Sequence, residues 1–215
     1  MIDWSNLEQS DAVIIQHGLK SLGFYDGSTR GLPGPITKGA YKKYLESLET
    51  QSKPASRAGR DHLTQELIDI LVSETGVREI PLNSNRGPDV EKYQASTWLD
   101  GSGWPWCAAF ICWGIQQLDT KYDLPFERPE TAGAWDFERW ARTQNLKLFK
   151  PREKIQAGDI LVYSFSHIGL AIDDQRDGFV NTVEGNTNTG GSREGGGVYA
   201  QKRKLSLIRS HIRLF

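Results

Sequence analysis

The sequence predicts an α+β fold, with helices first and an antiparallel sheet after them. Two observations carry this. Apolar residues recur at helical spacing through the first two thirds of the chain, and from residue 159 onward five short β-branched or alternating runs follow, separated by turn residues such as Asp177-Gly178 and Gly190-Gly191. Helices followed by a meander exclude a doubly wound α/β sheet.

The 215 residues, 38% hydrophobic with seven Trp, can fill the core of one large domain or two smaller ones. A formal net charge of −1 gives no argument for a nucleic-acid partner. The local basic set Arg193, Lys202, Arg203, Lys204, Arg209 and Arg213 reads as a solvated strand edge. Met1 to Ser10 contains Asp3 and Glu8 and no apolar stretch of the kind a secretory signal needs, and the apolar run Cys107 to Ile115 is too short to span a bilayer. A protein made in the cytoplasm without a signal peptide and without membrane insertion is expected, and two unpaired cysteines suit a reducing compartment.

Residues 1–48 read as a helical module. Val13, Gln16, Leu19, Lys20 and Leu22 share helical spacing, Gly23 stops the helix and Asp26-Gly27 turns the chain. A second helix then runs from Pro35 to Leu48 with Ala40, Tyr41, Tyr44, Leu45 and Leu48 on one face. Residues 49–60, small and polar without an apolar period, read as a linker. Residues 61–215 form the second domain. A helix from Asp61 to Ser73 carries Leu63, Leu67, Ile70 and Leu71, and Gly76 breaks it. A long irregular segment from Ile80 to Gly103 follows, with a short helix at Asp89 to Ala95, and delivers the chain to Cys107 past Trp98, Trp104 and Trp106. Such loops often line clefts. At least one of these Trp residues is expected in the core, and Trp104 is expected to grip a sugar or peptide.

From Pro105, whose fixed φ suits a first helical turn, Cys107, Phe110, Ile111, Gly114, Ile115 and Leu118 fall on one helical face. Cys107 heads that face where free backbone N–H groups and the positive end of the helix dipole favour a thiolate. Cys112 lies in the helix interior. A rise of ~1.5 Å per residue puts it roughly 8 Å from Cys107, beyond disulfide reach. A further helix rich in Trp135, Phe137 and Trp140 covers the core before the strands Asp159 to Tyr163, His167 to Ile172, Phe179 to Glu184, Gly197 to Arg203 and Leu207 to Leu214.

If Ile172 pairs with Phe179, antiparallel counting places His167 opposite Glu184, with Cβ atoms about 5 Å apart. Gly169 and Ala171 on the same face are small enough to let the Cys107 helix approach. Nucleophile, base and orienting acid then meet, and Asn186, two residues beyond Glu184, can bond the ring or replace the carboxylate. His17, His62 and His211 fit less well and are read as structural or exposed. Trp104, Trp106 and Ser166, which border nucleophile and base in the sequence, are the candidate substrate contacts. No zinc spacing or phosphate loop exists, so no metal and no cofactor is expected.

Two resemblances attach to these residues. Gln16 to Leu19, Leu22-Gly23-Phe24, Asp26-Gly27, Gly31, Gly34-Pro35, Thr37 and Ala40-Tyr41 resemble the short three-helix peptidoglycan-binding module, except that Pro33 stands where relatives usually carry an aromatic. Trp106-Cys107-Ala108-Ala109-Phe110, Ser166-His167-Ile168-Gly169 and Glu184-Gly185-Asn186 resemble the CHAP domains of cell-wall amidases and endopeptidases, a papain-like group, over about residues 73 to 203. That resemblance implies a papain-like catalytic domain in which Cys107 attacks an amide carbonyl, His167 activates it and protonates the leaving amine, and Glu184 with Asn186 orients His167. It departs from relatives at Trp106, where a hydrogen-bonding side chain is common, which shifts the oxyanion hole towards backbone N–H groups. The paired acids that hold calcium in some relatives are reduced here to Asp100.

The expectation is therefore a monomeric peptidoglycan hydrolase, a phage or prophage endolysin, that acts in the periplasm or cell wall after release. An injected antibacterial amidase effector, a wall-binding protein without activity and a cytoplasmic thiol protease are the alternatives.

Overall fold

Helical spacing at the start of the chain produces α1 (Gln9–Ser21) and α2 (Pro35–Ser52). In this computed structural model the described residues are 4, 7–31, 34–52 and 57–215, and they belong to two separately packed units, Met1–Ser56 and Arg57–Phe215. In the first unit Leu19, Tyr25 and Ala40 form a small core against Ile15, Phe24, Tyr41 and Tyr44. Gln16 is buried in that unit and satisfied there: its Oε1 accepts the Gly31 N–H at 3.0 Å and its Nε2 donates to Thr37 Oγ1 at 3.0 Å. Two helices, not the three of the expected module, are present among the described residues of this unit. Pro33 lies outside the described residues.

The expected linker is shorter than 49–60, because α2 runs to Ser52 and the next helix, α3 (Arg57–Ser73), begins at Arg57. Glu49, Gln51, Arg57 and Ala58 have good helix propensity, so the missing apolar period did not stop the helices. Residues 53–56 lie outside the described residues.

The second unit continues with α4 (Pro88–Gln94), α5 (Cys107–Tyr122) and α6 (Asp136–Thr143), followed by six strands: β1 (Lys147–Phe149), β2 (Ile160–Tyr163), β3 (Ile168–Ala171), β4 (Phe179–Thr187), β5 (Gly197–Lys204) and β6 (Ile208–Arg213). The fold class is α+β with one antiparallel sheet, ordered β1-β6-β2-β3-β4-β5. The expected meander holds from β2 to β5. The last strand departs from it, crossing back to lie between β1 and β2. β1 was not anticipated, since three residues are too few to display alternation.

The main core lies between the helices and one face of the sheet. Leu67 and Leu71 of α3, Phe110, Ile111, Ile115 and Leu118 of α5, and Ile160, Val162, Ile168, Leu170 and Val183 of the strands are all buried there. A smaller core on the opposite face gathers Ile155, Leu161, Tyr163, Ala171, Val180 and Ile208.

The β3–β4 hairpin differs from the expected pairing. Leu170 pairs with Val183 and Ala171 with Thr182, a shift of two residues from a pairing of Ile172 with Phe179. The cause is the turn: Asp177 (φ 52°) and Gly178 (φ 81°) make a tight reversal closed by hydrogen bonds between Arg176 and Phe179. Residues 173–175 are thereby left outside the ladder. A shift of two keeps every side chain on its face.

The expected reason for the small residues is also corrected. α5 packs against the face carrying Ile168, Leu170 and Val183, not the one carrying Gly169 and Ala171. Gly169 instead makes room for an acid across the ladder, since a Cβ there would come within 2.6 Å of Glu184 Cγ. The glycine that admits the start of α5 is Gly185, whose Cβ would lie 2.6 Å from the Trp106 ring and 2.8 Å from Phe110 Cβ.

Gly185→Ala should therefore destabilise the second unit by about 1–3 kcal/mol through overpacking. Thermal melting of the purified chain checks this, and an unchanged midpoint would show that the Trp106 ring has room to shift.

Candidate active site

Cys107 opens α5 directly after Trp106, whose backbone (φ −119°, ψ 15°) is not yet helical. No side chain caps this end, so the N–H groups of the first turn have no capping side-chain acceptor. Cys107 keeps only 6% exposure, and His167 none. Cys107 and Cys112 are both free thiols. Cys112 is inert by construction: burial pushes its thiol up to about 12, and its sulfur donates to the Thr131 carbonyl.

His167 stands one residue before β3, after Ser166 has turned the chain through the left-handed region (φ 56°). Its ring stacks on Tyr163 and Phe165, with centroids 5.8 and 5.9 Å away. Nε2 lies 2.9 Å from Glu184 Oε2. Nδ1 has no hydrogen-bond partner and is the ring nitrogen that Glu184 leaves free, and Cys107 is near enough to favour the charged form of the ring. Burial opposes charging this imidazole, but Cys107 and then Glu184 outweigh it, and its pKa is raised to about 9. Those shifts favour an imidazolium at His167 and a carboxylate at Glu184.

Glu184 is the most heavily bonded group of the site. Oε1 accepts from Tyr163 Oη at 2.8 Å, Thr182 Oγ1 at 2.6 Å and Arg203 Nε at 2.8 Å, while Oε2 accepts from His167 and from Arg203 Nη2. Full burial alone would keep the carboxyl protonated. Arg203 and His167 outweigh that, and its pKa is lowered to about 2. Tyr163 is pushed far upward by burial and the adjacent carboxylate, so it remains a phenol and a donor.

Arg203 belongs to this hydrogen-bonded cluster and was not picked out from the sequence. The basic C-terminal set was read as a solvated strand edge, yet Arg203 is 6% exposed, Arg213 pairs with buried Asp159 through two 2.8 Å bonds, and Arg209 pairs with Glu138. Arg203 also donates to the Gly191 carbonyl at 2.9 Å, and its guanidinium lies 5.3 Å from the Tyr163 ring. Its position opposite Val180 puts it on the face of Thr182 and Glu184, a parity that was readable in the alternation of the strand.

Three expected site residues are placed differently. Asn186 (φ 57°) does not bond His167. Its Oδ1 accepts the Trp106 backbone N–H at 3.1 Å, and its Nδ2 donates to Asn85 Oδ1 and the Gly195 carbonyl. The bulge in β4 after Glu184 turns it away from the imidazole, so the expected two-residue alternation fails there. Trp106 is not a substrate contact. It is fully buried, stacked on Tyr93 at 5.4 Å, with its indole N–H donating to Glu79. Glu184 reaches His167 from the pairing position of Gly169 rather than from directly opposite.

Trp104 and Ser166 remain partly exposed next to Cys107 and His167 in the chain, and the buried indole N–H of Trp104 has no partner. His17 and His62 are exposed, and His211 is buried against Phe149 at 4.8 Å. Among the described residues no three His, Cys, Asp or Glu side chains come together as a metal site, and no helix is long and apolar enough to cross a membrane.

Residues 99–186 match the CHAP domain family, and all of Cys107, His167, Glu184 and Asn186 fall inside that span. The match supports an amidase or peptidase domain that acts on peptidoglycan. No curated protein matches the chain.

Arg203→Met should remove the main support for the Glu184 anion, so that burial raises its carboxyl and the site fails first in acid. The sign follows from a depressed carboxylate: its stabilisation is present above its ordinary value of 4.5 and is lost as pH falls through about 2 in the wild type, and at higher pH in the variant. A pH profile of kcat/KM checks this, with a larger deficit expected at pH 5 than at pH 8.

Proposed function

We propose that this protein hydrolyses an amide bond of bacterial peptidoglycan by thiol chemistry. The observation that carries the proposal is the buried His167–Glu184 pair beside the free thiol of Cys107, lying within the span that matches the CHAP family. The Cys107 thiolate attacks the scissile carbonyl carbon. The resulting oxyanion lies against N–H groups of the first turn of α5, which no side chain occupies. The His167 imidazolium gives its proton to the leaving amine as the carbon–nitrogen bond breaks, leaving a thioester on Cys107. The now neutral ring takes a proton from water as the hydroxide oxygen attacks the thioester, and the tetrahedral adduct collapses to the carboxylic acid and the Cys107 thiolate while the proton stays on His167, restoring the starting pair. Glu184 holds the ring through Nε2 and stabilises its charged form throughout.

Trp104 and Ser166 are the side chains we assign to substrate, since both border the relay and both retain accessible surface. The first unit, packed separately from the catalytic one, suits a wall-binding module. A catalytic unit joined to such a module fits a lytic enzyme of the endolysin kind that works as a monomer on the wall after release from the cytoplasm.

Mass spectrometry of purified peptidoglycan after digestion tests the reading. New termini are expected either at the N-acetylmuramoyl-L-alanine bond or at one peptide bond of the stem or cross-bridge, and intact muropeptides would refute it. Cys107→Ala should abolish the products with a melting curve close to wild type, whereas Cys112→Ala should cost stability and spare turnover. A fragment of residues 1–50 should co-sediment with sacculi, and its retention in the supernatant would remove the wall-binding assignment. EDTA should leave turnover unchanged; loss restored by calcium would reveal an oxygen-built site.

A further inference from the structure

The mechanism needs Cys107 held at one position relative to His167, and nothing in the relay itself fixes the start of α5. Trp106, the residue before the nucleophile, is held at two points. Its indole Nε1 donates to Glu79 Oε1 at 2.8 Å, and its backbone N–H donates to Asn186 Oδ1 at 3.1 Å. The two holding groups touch each other, since Asn186 Nδ2 reaches Glu79 Oε1 at 3.4 Å. Glu79 itself is fixed by its backbone, whose N–H donates to the Gly196 carbonyl at 2.9 Å. Three segments far apart in the chain, at residues 79, 106 and 186, thus close on the turn that presents the thiol.

Glu79 is 4% exposed, and its other oxygen, Oε2, has no partner. A buried carboxylate retained for its charge would be expected to pair both oxygens, as Glu184 does. Here only one oxygen is engaged, and what it supplies is an acceptor in a fixed place. We propose that Glu79 is a positioning residue for the nucleophile, acting through the Trp106 side chain and Asn186 to set where Cys107 meets His167, and that its acceptor oxygen rather than its charge performs this role. The proposal rests on the thiol mechanism above but not on the identity of the substrate.

The requirement for an acceptor separates two near-isosteric substitutions. Glu79→Gln keeps Oε1 and puts an amide where Oε2 has no partner; Glu79→Met keeps the volume and removes the acceptor. Alkylation of Cys107 by iodoacetamide at pH 7, followed by intact mass on the full chain, reads the thiol–imidazole pair without any substrate. Cys112, buried and pushed up to about 12, adds no background.

Glu79→Gln is expected to alkylate within about threefold of wild type, and Glu79→Met about ten- to a hundredfold more slowly, the scale of a small misplacement at a reacting centre. If Glu79→Met does not fold, Trp106→Phe, which deletes the donor and leaves Glu79 in place, takes its part with the same expectation. A wild-type rate in the folded Met variant, or in Trp106→Phe, would overturn the proposal, and so would a Gln variant as slow as Met. Absence of peptidoglycan products from the wild type would overturn the substrate reading alone and leave these rates unaffected.

Discussion

Everything at the candidate site depends on keeping one carboxylate charged where water cannot reach it. Glu184 is fully buried, and a lone anion there would take up a proton. Four side chains prevent this: Arg203, His167, Tyr163 and Thr182 all donate to its two oxygens. Because the anion persists, the imidazole can carry charge next to Cys107. The relay is a chain of buried charges in which each member is tolerable only because the next is present.

The fold supplies these members from opposite sides of one sheet. Cys107 comes with α5 and the large core, whereas His167, Glu184 and Arg203 share the face of the smaller one. Two glycines allow the faces to be used this way. Gly185 admits the Trp106 ring and Phe110 on one side, and Gly169 leaves space for the Glu184 side chain on the other. Aromatic rings complete the arrangement, with Tyr163 and Phe165 stacked against His167 and beside the Arg203 guanidinium. Tyr163 and Phe165 also stack on each other at 5.2 Å, so the His167 ring and the guanidinium both lie against the same aromatic pair.

Much of this was legible in the sequence, and the parts that were not share a physical cause. Helical spacing disclosed α5 with Cys107 at its head, and alternation disclosed the parity that places His167 and Glu184 on one face. The register was displaced by two because the Asp177-Gly178 turn, not the ends of the runs, determines the pairing. Parity survived since the displacement was even. The role expected of Asn186 failed for the opposite reason: a bulge after Glu184 is invisible to counting, and it turned the side chain towards Trp106. Arg203 and Glu79 escaped notice because long charged side chains look solvated in any sequence, and only their distant partners show that they are buried. β6 could not be placed by adjacency, since one of its two neighbours, β1, is a strand of only three residues.

The most direct measurement of the central claim is the titration of the His167 ring by NMR in the wild type and in Cys107→Ala. In the wild type the ring is expected to stay protonated well above its ordinary value of 6.5, to about 9, with Cys107 first among the groups that support its charge. Removing the sulfur should lower that transition, since burial then acts against the charge with only Glu184 in opposition. A ring that titrates near its ordinary value of 6.5 in the wild type, and at the same pH in Cys107→Ala, would contradict the account.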